Sequence, residues 1–523
     1  MGGTDGLTTV ADVVRVHERA RPGAPAIDFE GRTISFGELG ERSSRVANAL
    51  AARGVGTGDR VAFLDKNGPE YFEVLFGAAK LNAVTVAVNW RLAPDEVAQV
   101  VEDSGARVLV VGPEFTGCVE AIEGQLGSVT TVLAIGGHPR WIDYEQLVVA
   151  GDPRDPGVVA RGDDVALQLY TSGTTGLPKG VMISNDNLFN GPFRLRDQWR
   201  IDDDTVTLAM MPMFHIAGSG WAIVSLGFGC RTVVHREVDP PGILRDLEAF
   251  GVTNALFVPA VIQFLLLTPG VETTDFSSLR RVVYGASPIT DTVLVEAMRV
   301  FGCEFVQVYG LTETTGAITQ LDHVDHDPVG RPHLLRSCGK PYPWIDVRIV
   351  DPDTGAEAAV GEVGELWTRS CQNMAGYWAN DDATASVLDA DGWFRTGDAG
   401  YVDADGYLYL HDRIKDMIVT GGENVYPAEV ENVLARHPDV ADVAVIGVPD
   451  EQWGEAVMAV VVPRPGSDLT GDDVVAFARG HLGGYKLPKS VAFAEVLPRN
   501  PSGKLLKREI RAPYWEGRDR NIG

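Results

Sequence analysis

Between residues 60 and 111, and again between 205 and 309, the chain alternates short apolar runs with helical stretches. That alternation restricts the fold more than any other feature, because strand–helix–strand repeats bury both faces of a parallel sheet under helices. The first series predicts strands at Arg60–Leu64, Thr85–Val88 and Ala106–Val111, with helices at Tyr71–Leu81 and Asp95–Ser104. The second predicts strands at Thr205–Met211, Thr232–Val234, Ala255–Val258, Leu279–Tyr284 and Glu304–Tyr309, with helices at Pro241–Phe250 and Ile289–Phe301. Ahead of both lie a helical stretch at Leu7–Arg19, two short strands around Glu30-Gly31 and a helix at Phe36–Arg53 ended by Gly54. From Asp346 the texture changes to short strands separated by turn signals such as Asp389–Gly392 and Asp403–Gly406. From about Arg413 α/β patterning restarts, with helices at Pro427–Arg436 and Thr470–His481 around strands Val440–Val448 and Ala456–Pro463. The expected fold is α/β: a large N-terminal domain of two α/β sheet units plus a small β-rich subdomain, residues 1–412, followed by a small α+β domain, residues 413–523.

Apolar strands of such sheets end in loops, and ligands of open α/β sheets sit outside the carboxyl ends of the strands. Three of those ends are rich in glycine and hydroxyl residues. Tyr170–Val181 reads Tyr-Thr-Ser-Gly-Thr-Thr-Gly-Leu-Pro-Lys-Gly-Val and follows the apolar run Val165–Leu169. Hydroxyls and open backbone amides suit phosphate oxygens, glycine lets the backbone approach them, and Lys179 adds a point charge. The Walker pattern would need glycine at Pro178 and Ser or Thr at Gly180, so this is a phosphate loop of another kind. The other two ends are Gly285-Ala286-Ser287 and Gly310-Leu311-Thr312-Glu313, and all three become candidates for one crevice. Ser184–Arg200 predicts a helix capped by Ser184. Arg91, in Asn89-Trp90-Arg91-Leu92, reads as a structural ion-pair partner.

Composition limits the partners. Lys and Arg number 45 against 72 Asp and Glu, a net charge of −27 that disfavours nucleic acid and anionic membranes. A polyanionic ligand must then be met by local cations such as Lys179. The five cysteines are scattered without C-x-x-C spacing, which argues for a reducing compartment and against a zinc site. With no apolar, basic-flanked leader at Met1–Thr9 and no apolar run long enough to cross a bilayer, the expected location is cytoplasmic.

Six segments in order resemble the adenylate-forming superfamily of acyl-CoA synthetases, adenylation domains and luciferases. They are Tyr170–Val181, Met211-Pro-Met-Phe-His215, Tyr309–Glu313, Trp393–Asp398, Asp412–Asp416, and Pro498–Lys504 ending in Ser-Gly-Lys. The resemblance covers nearly the whole chain. It implies that a carboxylate attacks the α-phosphate of ATP, that pyrophosphate leaves, and that the acyl group passes to a thiol, usually that of CoA. On that resemblance Lys504 is the catalytic lysine, Glu313 holds Mg²⁺, and Thr312 contacts the AMP phosphate. Thr171, Ser172, Gly173, Thr174, Thr175 and Lys179 cradle the ATP phosphates. Tyr309 and Gly310, with Gly285, Ala286 and Ser287, receive adenine, and Asp398 with Arg413 takes the ribose hydroxyls. Lys415 matches the hinge, and Gly421 and Gly422 the CoA tunnel.

Competing structural readings exist for several of these positions. Glu313 could be an N-capping acid of a following helix, and Tyr309 a core residue. His215 matches a residue beside the acyl carboxylate, while a lone histidine after Phe also suits a core. Gly218 and Trp221 are assigned to the border of the acyl pocket, with core packing as the equal alternative. Lys486 and Lys489 are local candidates for the CoA phosphates against a solvated-face reading.

The expected function is therefore an ATP-dependent acyl-CoA synthetase with ATP, Mg²⁺ and CoA, acting on a medium- or long-chain fatty acid, with a homodimer as the candidate assembly. The ending Ala512–Gly517 is similar to bacterial fatty-acyl-CoA synthetases. The alternatives are an aryl-acid CoA ligase of the coumarate or benzoate kind and a non-catalytic nucleotide-binding protein. No carrier domain follows Lys504 and no insertion of the fatty acyl-AMP ligase type is evident, so CoA is the expected acceptor.

Overall fold

The computed structural model describes residues 6–172, 178–287, 289–352, 354–413, 416–420, 423–450, 453–479, 481–482, 484–499 and 505–516. Two large sheets dominate. The eight-stranded one runs Gly376–Tyr377, Pro178–Ser184, Val165–Ser172, Val84–Ala87, Arg60–Leu64, Ala106–Val111, Thr131–Ala134 and Ile142–Asp143. The nine-stranded one is centred on Val206–Ala209, Asn254–Phe257, Arg281–Gly285 and Glu304–Leu311, which pair in parallel. The alternation in the sequence is therefore realised as α/β architecture, with predicted strands displaced by a residue or two at their ends.

The nine-stranded sheet draws on both ends of this region. The hairpin Pro25–Phe29 and Arg32–Ser35, though near the N-terminus, joins through parallel pairing with Arg231–Val234. Asp28, buried, accepts from Arg231 Nε at 2.5 Å and from Nη2 at 2.9 Å, which satisfies the carboxylate inside the sheet edge. One continuous core joins the inner faces of both sheets through helices Val10–Ala20, Phe36–Ala51, Pro69–Lys80 and Ile216–Gly227. Ile216–Gly227 is apolar on nearly all sides, as a helix held between two sheets must be. Helices Pro240–Ala249, Pro259–Leu267 and Asp291–Phe301 cover the outer face of the nine-stranded sheet, and Pro94–Ser104 that of the eight-stranded sheet.

A four-stranded antiparallel sheet, Asp346–Val350, Gly364–Arg369, Phe394–Val402 and Leu408–Arg413, forms the expected β-rich subdomain. The chain then enters a five-stranded sheet whose long hairpin, Val440–Asp450 with Gly454–Pro463, packs on helices Pro427–Leu434 and Gly471–Arg479 around its own core.

One element differs from expectation. The stretch after Lys179 begins with a strand, Pro178–Ser184, and the predicted long helix Ser184–Arg200 is only Asn185–Phe189 followed by a 3-10 turn at Pro192–Arg194. Ser184 does cap it, accepting from Asn187 N at 3.2 Å. The stop is Gly191-Pro192, since proline has no N–H to donate and disfavours helix at the residue before it. Upstream, Val181 and Ile183 are both fully buried with Met182 between them less so, the period-2 pattern of a strand.

Candidate functional site

The strand Pro178–Ser184 turns the glycine-rich stretch into the loop of an antiparallel hairpin, in which Thr171 pairs with Lys179 and Ser172 with Pro178. Gly173, Thr174 and Thr175 lie outside the described residues, as do Lys415, Gly421, Gly422, Lys504 and the side chains of Ser172 and Arg413. On the free side of the hairpin, Gly376–Tyr377 adds as an edge strand, with Tyr377 opposite Val181. Trp378 N donates to Gly180 O at 2.7 Å and Ala375 N to Met182 O at 3.0 Å. The same short segment reaches the other sheet, because Met374 N donates to Glu313 O at 2.7 Å. The Tyr377 hydroxyl donates to Glu313 Oε1 at 3.0 Å, and Lys179 Nζ stands 4.9 Å from the centre of the Tyr377 ring. Lys179 and Glu313, from separate sheets, thus meet on one tyrosine that the sequence reading did not single out. Tyr377 lies 64 residues from Glu313, so local spacing carried no signal for this contact.

Thr312 and Glu313 occupy a tight turn between Glu304–Leu311 and Gly316–Leu321. No helix follows, so the N-capping reading of Glu313 is excluded: the chain doubles back as an antiparallel strand. The register shifts between Tyr309 and Gly310, where a Cβ on residue 310 would collide with the Gly316 carbonyl oxygen. Thr315 has φ +51°, a costly conformation for a β-branched residue. It is held by its own hydroxyl, which donates to Gln372 O at 2.7 Å. Fully buried Gln372 in turn donates to Thr314 O and Ala317 O and accepts from Trp344 Nε1. Strain of this kind persists where surrounding bonds over-determine it, and it keeps Thr312 and Glu313 at the tip of the turn.

Opposite the turn, Tyr309 donates its hydroxyl to Asp398 Oδ2 at 2.6 Å. Burial and the Asp398 carboxylate hold the phenol pKa well above its usual value, so it stays a donor. Asp398 lies on Phe394–Val402 directly across from Arg413, so the two residues matched to ribose are cross-strand neighbours. Ala286 is exposed with φ +67° beside Gly285, whose strand pairs with the one carrying Tyr309. Ser287 is half-buried next to it. Lys179 and Glu313 are thus linked through Tyr377, Tyr309 is linked to Asp398 of the four-stranded sheet, and Gly285 pairs beside the Tyr309 strand, so these described residues connect three sheets.

His215 sits at the start of helix Ile216–Gly227, and Ile216 approaches the Gly316 turn. Among the described residues its Nε2 is buried with no hydrogen-bond partner. Burial, with a smaller contribution from the charge of Arg91, depresses its pKa to about 4, so the ring is neutral at physiological pH. Arg91 itself stacks on Trp90, its guanidinium 4.5 Å from the ring centre. Gly218 and Trp221 are accounted for by packing. A Cβ on residue 218 would strike the carbonyls of Met211 and Pro212, while Trp221 is 3% exposed, packs at a tilt against Trp199 with ring centres 5.4 Å apart and donates Nε1–H to Leu208 O at 2.9 Å. Lys486 bonds both oxygens of Glu429 at 2.7 Å, which already pairs the charge proposed for CoA phosphates.

Among the described residues no group of three acidic, His or Cys side chains is placed to hold a metal. Glu313 offers one carboxylate beside the Thr312 hydroxyl. That set fits magnesium, which takes few protein ligands and completes its shell with phosphate oxygens and water.

Comparison with known proteins places the chain in a family. The family described as AMP-binding enzyme matches residues 14–378, and the AMP-binding enzyme C-terminal domain matches 429–504. A fatty acid–[acyl-carrier-protein] ligase, ScoC of Streptomyces coeruleorubidus, is 41% identical over 99% of this chain and 98% of its own. A feruloyl-CoA synthase from Amycolatopsis is 40% identical over 95% of this chain and 97% of its own. ATP-bound MatB from Rhodopseudomonas palustris superposes with a TM-score of 0.88 at 32% identity, covering 97% of this chain and 99% of the other.

Two outcomes are expected here. Trp221→Ala should destabilise the fold by about 3–5 kcal/mol through the cavity and the orphaned Leu208 carbonyl; an unchanged denaturation midpoint would contradict the core role. NMR titration of His215 should show it neutral down to about 4. Because the unfolded chain protonates at a higher pH, this residue's share of stability is full above the ordinary histidine pKa and falls as pH drops toward 4. An ordinary histidine titration would contradict the buried environment.

Proposed function

The chain belongs to the AMP-binding enzyme family, and from that premise we propose that it is an ATP-dependent acid–thiol ligase of the adenylate-forming kind. A carboxylate oxygen of the substrate bonds to the α-phosphorus of ATP, the bond to the bridging oxygen breaks, and pyrophosphate leaves. The thiol of CoA then attacks the acyl carbon, loses its proton, and AMP departs. The observation that carries this reading is the meeting of Lys179 and Glu313 across Tyr377 beside the hairpin loop.

In the proposed mechanism Lys179 and the hairpin hold the β- and γ-phosphates, the part that leaves. Thr312 and Glu313 face the α-phosphate side, and magnesium, held by Glu313, would neutralise phosphate charge. Tyr309 and Ala286 flank adenine, and Asp398 receives the ribose hydroxyls with its geometry already fixed by Tyr309. The neutral ring of His215 can hydrogen-bond the acyl carboxylate without contributing charge. Lys504 supplies the cation that follows the developing charge between two anions, where positioning and electrostatics do most of the work. Residues 1–412 would form the domain that holds ATP and the acid, and residues 413–523 the one that presents Lys504. Rotation about Lys415 would exchange Lys504 for the Gly421-Gly422 loop, which serves the thioester step.

The acid we propose is a medium- or long-chain fatty acid, which the similarity to ScoC supports. An aryl acid is the second reading, favoured by the feruloyl-CoA synthase of nearly equal identity. The acceptor we propose is CoA. The carrier-protein ligase aligns over almost its whole length, so the lack of an inserted segment does not by itself distinguish the two thiols.

A panel of aliphatic and aryl acids of graded size, assayed for ATP-dependent thioester formation with CoA and with an acyl carrier protein, tests this. Fatty acids with CoA should react fastest; faster turnover of aryl acids or of carrier protein would replace that part of the proposal. In the same assay Lys504→Ala should abolish acid-dependent pyrophosphate release while sparing thioester formation from supplied acyl-AMP. Equal loss of both steps would contradict the role of Lys504.

A further inference from the structure

The contacts of Tyr377 carry an inference about how the nucleotide site is set. Tyr377 is 6% exposed and fixed from several directions. Its backbone pairs with Val181, its N–H donates to Thr384 Oγ1 at 2.9 Å, and the neighbouring Trp378 N–H is tied to Gly180 O. Trp378 is itself held, with its Nε1–H on Asp103 O at 2.9 Å and the Arg60 guanidinium 3.4 Å from its ring centre. The Tyr377 side chain therefore has little freedom, and it presents two different surfaces to two charged groups. Its hydroxyl donates to one Glu313 oxygen at 3.0 Å, and its ring lies 4.9 Å from the Lys179 ammonium.

We propose that Tyr377 is a positioning residue of the nucleotide site: its hydroxyl orients the Glu313 carboxylate while its ring face holds the Lys179 ammonium. This rests on the nucleotide reading given above. A carboxylate with one oxygen engaged presents the other in a fixed direction, as partners of metal-binding groups commonly arrange. A cation within about 6 Å of an aromatic centroid is attracted by the ring quadrupole, which keeps a long lysine stem directed without neutralising its charge. One rigid side chain thereby sets the spacing between the cation that meets the terminal phosphates and the carboxylate that faces magnesium. A salt bridge between Lys179 and Glu313 would quench both, and engaging one on the ring and the other on the hydroxyl directs them to separate parts of one side chain.

The two surfaces can be removed separately. Tyr377→Phe deletes the hydroxyl and keeps the ring; Tyr377→Leu deletes both. In calorimetric titration of the full chain, Tyr377→Phe should weaken MgATP by about tenfold, the scale of a lost hydrogen bond to a charged group, and leave metal-free ATP unchanged. Tyr377→Leu should weaken both ligands. In a Glu313→Gln background Tyr377→Phe should have no further effect on MgATP, since the two act as a unit.

Equal weakening of MgATP and metal-free ATP by Tyr377→Phe would mark a packing role and overturn the proposal. So would unchanged MgATP affinity, or a loss that persists undiminished in Glu313→Gln. Absence of ATP binding by the unmodified protein would instead overturn the parent reading. Thermal midpoints of the variants keep a folding defect distinguishable, and the isosteric Tyr377→Phe carries the test if Tyr377→Leu does not fold.

Discussion

The proposed crevice depends on the pairing of residues 374–378 with two partners at once. Three backbone bonds, Met374 to Glu313, Ala375 to Met182 and Trp378 to Gly180, join the edge of the eight-stranded sheet to the turn that ends a strand of the nine-stranded sheet. Buried backbone groups need partners, so these bonds do more than position a loop. They satisfy an edge strand that would otherwise be open and fix the hairpin against Thr312 and Glu313. The buried Gln372 network immediately before them holds Thr315 in its left-handed conformation. A segment distant in sequence from both the hairpin and the turn thus sets how far apart they stand.

Charge is the second constraint. A chain of net charge −27 must bind a polyanion through local devices, and each one in the proposed site is directed by a neighbour. Lys179 lies over the Tyr377 ring, the Tyr309 hydroxyl donates a hydrogen bond to Asp398, and His215 is kept neutral by burial. Preorganised groups of this sort need little rearrangement when the ligand arrives, which is where electrostatic stabilisation is most effective. Local packing has the same economy: Gly310 is small because the bulge brings Gly316 against it, and Gly218 because the Met211–Pro212 backbone passes there.

Much of the fold was legible in the sequence because apolar periodicity is a local signal. Arg60–Leu64 and Ala106–Val111 fall where the pattern put them, and Asp95–Ser104 within a residue. The failure at Ser184–Arg200 was local too: Gly191-Pro192 outranked helical spacing, and the alternation of Val181, Met182 and Ile183 was hidden behind the loop motif. Family resemblance named the candidate site residues one by one, and two of them, Asp398 and Arg413, stand opposite each other on adjacent strands. What could not be seen was the non-local part. Tyr377 lies 64 residues from Glu313 along the chain, and nothing in local spacing announces a hydroxyl on that carboxylate. Gly218 and Trp221 were equally ambiguous, since an apolar helix between two sheets and one lining a pocket share the same composition.

The most direct test of the proposed nucleotide crevice, built from linked parts of three sheets, is an experimental structure of this chain with ATP bound. The account predicts adenine between Ala286 and Tyr309, ribose hydroxyls on Asp398, and the terminal phosphates in the hairpin between Lys179 and the Glu313 turn. Nucleotide bound elsewhere, or phosphates directed away from both Lys179 and Glu313, would contradict it.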